Sequence, residues 1–270
     1  CYLHTWTGKT QKFKQEDALR GSQKYWNPDI SLCTCYWAKR MASRPVFVAL
    51  GEPTHLVEEV PIDFHWNPGF APIQKKKNVA ALHEAASKKG MSPLLEVSTK
   101  SEEKLGQRLS AFNLKIATPL GDISIEKDNK ESKVFKDGGP YPDIYKMDSW
   151  AAKKDERLKK SGPLTGFDFF GQKWPLIPKT AFYDWLYLSA LEPHQDFLKR
   201  LFNYHGFTDI EFNPEKSINC QARTCALLVS LIKLDALNLA LRSQSDFIAM
   251  VASDSFNKAH SAELRQHVLL

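Results

Sequence analysis

The sequence predicts an α+β fold, a helix-rich single domain with small β-sheets, on three observations. Two apolar runs of strand character, PVFVAL at 45–50 and LVEEVPIDF at 56–64, follow one another closely. Further along, GFDFFGQKWPL reads as a strand pair turned at Gly171-Gln172. The C-terminal third carries most of its apolar residues at helical spacing.

Composition sets the bounds. A chain of 270 residues, 43% apolar, 25% charged and 11% aromatic, can bury a substantial core, so disorder is not expected. No window approaches 18 consecutive apolar residues and no apolar stretch follows a basic N-terminus, which argues against membrane spans and a secretory signal. The expected location is cytoplasmic. Five cysteines, of which only Cys33 and Cys35 are closely spaced, do not make a disulfide framework, and that pair lacks the second Cys/His pair of a zinc site. The net charge of +6 is uneven: residues 1–40 hold seven Lys/Arg against three Asp/Glu, leaving 30 against 28 for the rest. A nucleic-acid partner must therefore be met by a local patch rather than by bulk charge. Residues 1–40 show no sustained period and are expected to be an unassigned tail, not native to the domain at 41–270; the rival reading is an aromatic arm that docks on a partner.

From Met41 each element has a local reason. After the two strands comes a loop at NPGFAP, then residues 74–89 place Val79, Leu82, Ala85 and Ala86 on one helical face before Gly90 stops the helix. Lys75, Lys76 and Lys77 read as a solvated helix start, in preference to a phosphate patch, and His83 as structural. PLLEVS at 93–98 is a strand, and Ser101 followed by Glu102 and Glu103 marks a helix start running to Leu109. LKIAT is strand-like, PLGD a turn, and 123–136 is expected to be helical up to the break at Gly138-Gly139-Pro140. Ser149 is expected to cap a helix through WAAKKDERLKKS, ended by Gly162. Pro178 sits at a helix start and AFYDWLYLSAL is a core helix. A helix at about 194–204, a strand at FTDIEF, an apolar helix over SINCQARTCALLVSLIKL holding Cys220 and Cys225 as small buried residues, and a last helix at about 235–251 complete the domain. The tail beyond Asn257 is expected to fray.

No Walker loop, dinucleotide fingerprint, GxSxG elbow, HExxH or paired CxxC is present. Ionisable and amide residues concentrate instead in Glu126–Tyr141 and Phe207–Gln221. On one helix Glu126 and Lys133 would share a face about 10 Å apart along the axis, too far to pair but able to bracket a ligand. The carboxylate would then handle protons and a Lys of lowered pKa would act as nucleophile, although such pairs are more often solvated surface. Gly138 and Gly139 form either a plain turn or a backbone approach to a phosphate, with Tyr141 available to stack and Lys154 and Arg157 to add charge. Asp209 reads as a strand-end hydrogen-bonding residue or as an acid lining a cleft, and Asn219 and Gln221, at a helix N-terminus, are equally ambiguous.

The segments SKVFKDGGPYPDIY, AAKKDERLKKSG, GFDFFGQKWPLIPKTAFYDWLYLSAL and FTDIEFNPEKSINCQARTCALLVSL, in this order, resemble the NADAR family, in particular its branch of antitoxins found beside DarT-type DNA ADP-ribosyltransferase toxins. LSAFNL resembles the family's earlier SNF-like strand motif, and the likeness spans roughly 41–250. The resemblance implies a single NADAR-like domain. It also implies an N-glycosidase that removes ADP-ribose from guanine bases of DNA, with no metal or cofactor. ADP-ribosylated DNA is then the substrate, a DarT-type toxin a partner, and no membrane is involved. The family's Glu and the Lys seven residues later fall on Glu126 and Lys133, so Lys133 would form a Schiff base with the opened ribose while Glu126 shuttles protons. Asp209 matches an acid near the ribose. Asn113, Gly138, Gly139, Tyr141, Lys154, Arg157 and Asn219 match positions expected around ADP-ribose.

One departure stands out. Where the family usually reads Glu-Ser-Ala-Phe-Gln-Gly-Ser-Lys, this chain reads EKDNKESK, so Asn129 replaces an aromatic and Lys130 a glutamine. That implies a remodelled pocket, a decayed activity or a local sequence error. Two other readings therefore stay open: the same chemistry on phosphorylated riboflavin-pathway intermediates, and an antitoxin that binds ADP-ribose or toxin without turnover.

Overall fold

A computed structural model describes residues 41–147 and 155–253, which lie within the unit Arg40–Leu270. The expectations for the tail 1–40, for the cap at Ser149, for Lys154 and for the end of the chain fall outside these residues. The chain order is β1 (Met41–Glu52), β2 (His55–His65), α1 (Pro72–Ser87), β3 (Leu94–Glu96), α2 (Lys104–Arg108), β4 (Lys115–Thr118), β5 (Gly121–Ser124), α3 (Ile125–Glu131), β6 (Lys133–Phe135), a 3₁₀ turn (Pro142–Lys146) and α4 (Arg157–Lys160). It continues with β7 (Leu164–Phe169), β8 (Gln172–Trp174), α5 (Ala181–Leu191), α6 (Gln195–Leu201), β9 (Gly206–Thr208), α7 (Gln221–Lys233), α8 (Leu237–Arg242) and α9 (Gln244–Ser253). This is an α+β fold with small sheets.

The main sheet runs β2-β1-β9-β3, antiparallel except for the parallel pair β3-β9. Period-2 alternation lets each strand serve two layers. Val46, Ile62, Phe64 and Leu94 pack with Val79, Leu82 and Ala86 of α1 on one face, while Phe47, Leu95 and Phe207 join the larger core under α5 and α7 on the other. Helix α7 is buried at every position from Gln221 to Leu231, the mark of a helix surrounded by protein rather than lying on its surface. It is tied to α5 by the buried pair Arg223–Asp184 at 3.0 Å, with Thr224 Oγ1 donating to the second carboxylate oxygen. In addition, β4-β5 form a hairpin and β6-β7-β8 a three-stranded sheet.

Several expectations are corrected. The region 123–136 is not one helix: Ile123 pairs with Ile116 across the β4-β5 hairpin, only 125–131 is helical, and Lys133–Phe135 pair with β7. Strand partners far along the chain outweigh a helical pattern that has few apolar residues to bury. LSAFNL is a turn rather than a strand, closed by Asn113 and Leu114 N–H donating to Ser110 O. Helix α2 starts at Lys104 instead of Ser101, whose hydroxyl accepts from Glu103 N–H at 3.2 Å in the preceding turn. The β7-β8 reversal uses Phe170 and Gly171, both at positive φ, one residue earlier than expected. FTDIEF is a strand only as far as Thr208, and Cys220 stands at the residue just before α7 instead of lying inside it. The last helix is two, broken at Ser243, whose Oγ accepts from Asp246 N–H at 3.1 Å and so caps α9.

Candidate active site

The carboxyl ends of the parallel strands β3 and β9 open onto a cleft of about 440 Å³. Four structural units supply its walls. The turn after α2 contributes Ser110, Ala111 and Phe112; α3 and the start of β6 contribute Glu126, Asn129, Lys130 and Lys133; β9 and the loop behind it contribute Asp209 and Lys216; α5 and the N-terminus of α7 contribute Tyr183, Asn219 and Gln221. Glu126 and Lys133 therefore meet in one cleft from a helix and a strand, not along a single helix.

Lys133 is half-buried at its position opposite Phe167. Burial pushes its ammonium below the ordinary lysine range, the neighbouring Lys130 charge pushes the same way, and Glu126 opposes them. Lys130 Nζ lies 2.8 Å from Glu126 Oε1, an i,i+4 ion pair with both side chains about 30% exposed. The one-turn reach of α3 thus places a cation next to both proposed catalytic groups.

Asp209 is buried and held from two sides: Glu211 N–H donates to Oδ1 and Gln221 Nε2 to Oδ2, each at 3.0 Å. Gln221 Oε1 in turn accepts from Ala111 N–H at 2.7 Å, so a single amide fixes the acid against the turn that forms the opposite wall. Behind Asp209, Glu96 is fully enclosed and accepts from Ser98 Oγ and Ile210 N–H on Oε1, and from Thr208 Oγ1 on Oε2. His83 Nε2 lies 2.8 Å from Thr208 Oγ1 and extends this chain of contacts to α1. Burial raises both carboxyls above the usual carboxylate range; the charge of Asp209 adds to the rise at Glu96, and that of Glu211 to the rise at Asp209.

Three acceptors in the cleft, Ser110 Oγ, Asn129 Oδ1 and Asn219 Oδ1, are buried and find no partner among the described residues. Such groups are costly unless a ligand meets them. The cleft can therefore position a polar, hydroxyl-bearing ligand, offer an amine nucleophile beside a carboxylate and supply cations for an anion.

The residues expected from the sequence divide in three. Glu126, Lys133, Asp209 and Asn219 line the cleft. Asn113 faces a neighbouring cavity and donates Nδ2–H to Gln107 O at 2.8 Å. Gly138, Gly139, Tyr141 and Arg157 are not part of the cleft's lining and form a cluster of their own: Tyr141 OH bonds Ser161 Oγ, and the Arg157 guanidinium lies 4.6 Å above the Tyr141 ring while pairing with Asp143 and Asp155. A Cβ at Gly138 would overlap the Tyr141 hydroxyl, a close approach that only glycine permits. Sequence reasoning did not single out Ser110, Tyr183, Lys216 or Glu96. Glu96 alone left a signal, a carboxylate inside the apolar strand PLLEVS; the others are marked only by tertiary contacts.

Among the described residues no group of His, Cys, Asp and Glu is placed to hold a metal ion, and no helix is long and apolar enough to cross a membrane. No curated protein matches the chain. A family model described as "DarT1-associated NADAR antitoxin" matches residues 42–261.

Proposed function

The chain belongs to the DarT1-associated NADAR antitoxin family, and from that premise we propose that it is an N-glycosidase that removes ADP-ribose from guanine in DNA. The observation that carries the reading is the half-buried Lys133 amine in a cleft beside Glu126, its pKa lowered by burial and by Lys130. Lys133 passes its ammonium proton to Glu126 and becomes a free amine. Its nitrogen attacks the anomeric carbon of the ADP-ribose attached to guanine. The C–N bond to the exocyclic amino group breaks, and the departing amine takes the proton from Glu126, which turns a poor leaving group into a neutral one. Ring opening of the Lys133 adduct gives a protonated imine. Water adds to its carbon, ADP-ribose leaves, and both side chains return to their starting states. Asp209, fixed by Gln221 and the Glu211 amide, is the acceptor for a ribose hydroxyl, and Lys216 and Lys130 supply positive charge for the diphosphate.

The test uses the full chain and an oligonucleotide carrying ADP-ribosylated guanine, read by mass spectrometry. Wild type restores unmodified DNA and is trapped by borohydride as a covalent adduct on Lys133. Lys133→Ala does neither, losing at least about 10³-fold in rate. Restoration by Lys133→Ala at the wild-type rate would overturn the mechanism.

A second reading has one specific support. The Lys130–Glu126 ion pair occupies the carboxylate that the chemistry needs, as an antitoxin that binds its ligand without turnover would permit. On that reading wild type and Lys133→Ala bind ADP-ribosylated DNA alike and neither releases product.

A further inference from the structure

Next to the cleft lies a larger cavity of about 670 Å³, and the turn at 110–114 is the wall between them. Phe112 lines the cleft and Asn113 lines the cavity, so the two compartments lie within one residue of each other, about 3.8 Å along the backbone. Phe112 stands on this divide 60% exposed. The second cavity has an apolar floor that includes Ile116 and Phe197, and two exposed cations at its rim, Arg108 from α2 and Lys115 from β4. The Arg108 guanidinium lies 6.0 Å from the Phe197 ring centroid. Neither cation forms an ion pair among the described residues, whereas Lys75, Lys130 and Arg157 all do. Asp122 is the one carboxylate in the lining.

We propose that this cavity receives the nucleotide that flanks the modified guanosine, so that the substrate is single-stranded DNA laid across Phe112. The inference rests on the glycosidase reading above. An apolar floor takes the face of a base, Phe112 offers a stacking surface between two successive bases, and Arg108 and Lys115 take the phosphate. The carboxamide oxygen of Asn113, whose nitrogen donates to Gln107 O, and the carboxylate of Asp122 are left to meet polar atoms on the base edge. A paired, stacked duplex cannot lower a base into a concave site without unpairing it, which favours a single strand. Asn113, which the family resemblance sets near ADP-ribose, acquires a role on the far side of the wall.

The experiment compares two substrates: a single-stranded oligonucleotide carrying ADP-ribosylated guanine, and the same modified deoxyguanosine freed from it as a nucleoside. The double variant Arg108→Gln/Lys115→Gln changes two exposed side chains and its melting temperature checks that it folds. Its kcat/KM on the oligonucleotide falls about tenfold, and the slope against log salt becomes shallower by about 1.4, roughly 0.7 for each lost phosphate contact. Its kcat/KM on the nucleoside equals that of wild type. Equal effects on both substrates, or none on either, overturn the inference and leave the glycosidase reading standing. Annealing a complementary strand removes the advantage of the oligonucleotide over the nucleoside; a duplex cleaved as fast as the single strand overturns the choice of strand. A wild-type chain that cleaves neither substrate overturns the glycosidase reading itself.

Discussion

At Lys130 one substitution sets the electrostatics of the cleft. Its ammonium sits 2.8 Å from Glu126 and helps lower the pKa of Lys133. A nucleophilic lysine works as the free amine, so a neighbouring cation widens the pH range over which it is ready. In Lys130→Gln that cation is gone and the Lys133 pKa rises. The acid limb of the kcat/KM profile for deglycosylation therefore moves to higher pH, with the plateau rate little changed. A profile that stays in place would show that burial alone sets the amine. Glu126 is tested separately: Glu126→Gln cannot carry a proton to the leaving amine, and its kcat falls by about 10²–10⁴-fold, with borohydride trapping reduced in parallel.

Elements hold the cleft through close approach and capping. Helix α2 passes so near β3 that a Cβ on Gly106 would overlap the carbonyl oxygen of Glu96 and the Ser101 hydroxyl. Gly106→Ala pushes α2 off the strand that carries Glu96, and overpacking of this kind costs about 1–3 kcal/mol, read as a lowered midpoint in urea. Ser243→Ala removes the cap of α9 and costs about 1 kcal/mol, with no effect on the cleft, whose lining does not include α9. Helices α5 and α7 are joined by Asp184 and Arg223, each side chain only 2% exposed. Asp184→Asn breaks this buried pair and destabilises by about 3–5 kcal/mol, because the guanidinium stays enclosed without its counter-charge. A smaller loss would mean that the other groups around Arg223 compensate.

For the whole molecule, the chain of groups from His83 through Thr208 to Glu96 and on to Asp209 makes stability depend on pH with two opposite signs. Burial lowers the His83 imidazole to about 4, against the weaker pull of Glu103. The unfolded chain, with an ordinary imidazole near 6.5, takes up the proton first, so stability falls as pH drops from about 6.5 to about 4, by up to about 3 kcal/mol. Glu96 and Asp209 act the other way. Their folded pKa values are raised, so their contribution is complete below the unfolded carboxylate range and is lost as pH rises through the folded values. His83→Gln flattens the acid side of a stability-versus-pH curve and Glu96→Gln the side toward neutral pH; unchanged slopes in both would dissolve the network.

What the sequence determined by itself was whatever depends on near neighbours. Apolar strand character at 45–50 and 56–64 specified β1 and β2, helical spacing stopped by Gly90 specified α1, and a largely apolar helical segment specified α7. Family-specific segments carried the membership and pointed to Glu126, Lys133, Asp209 and Asn219, which the fold assembles into one cleft. Tertiary structure decided the rest. Residues 123–136 became hairpin, short helix and strand because Ile116 and Phe167 supplied partners that no local pattern announces. Asn113 faced a second cavity, while Gln221 joined Asp209 to Ala111 across 110 residues of chain. A local signal needs only the few residues of one turn or one strand, whereas a hydrogen bond or strand pair between distant segments forms only after packing has brought them together.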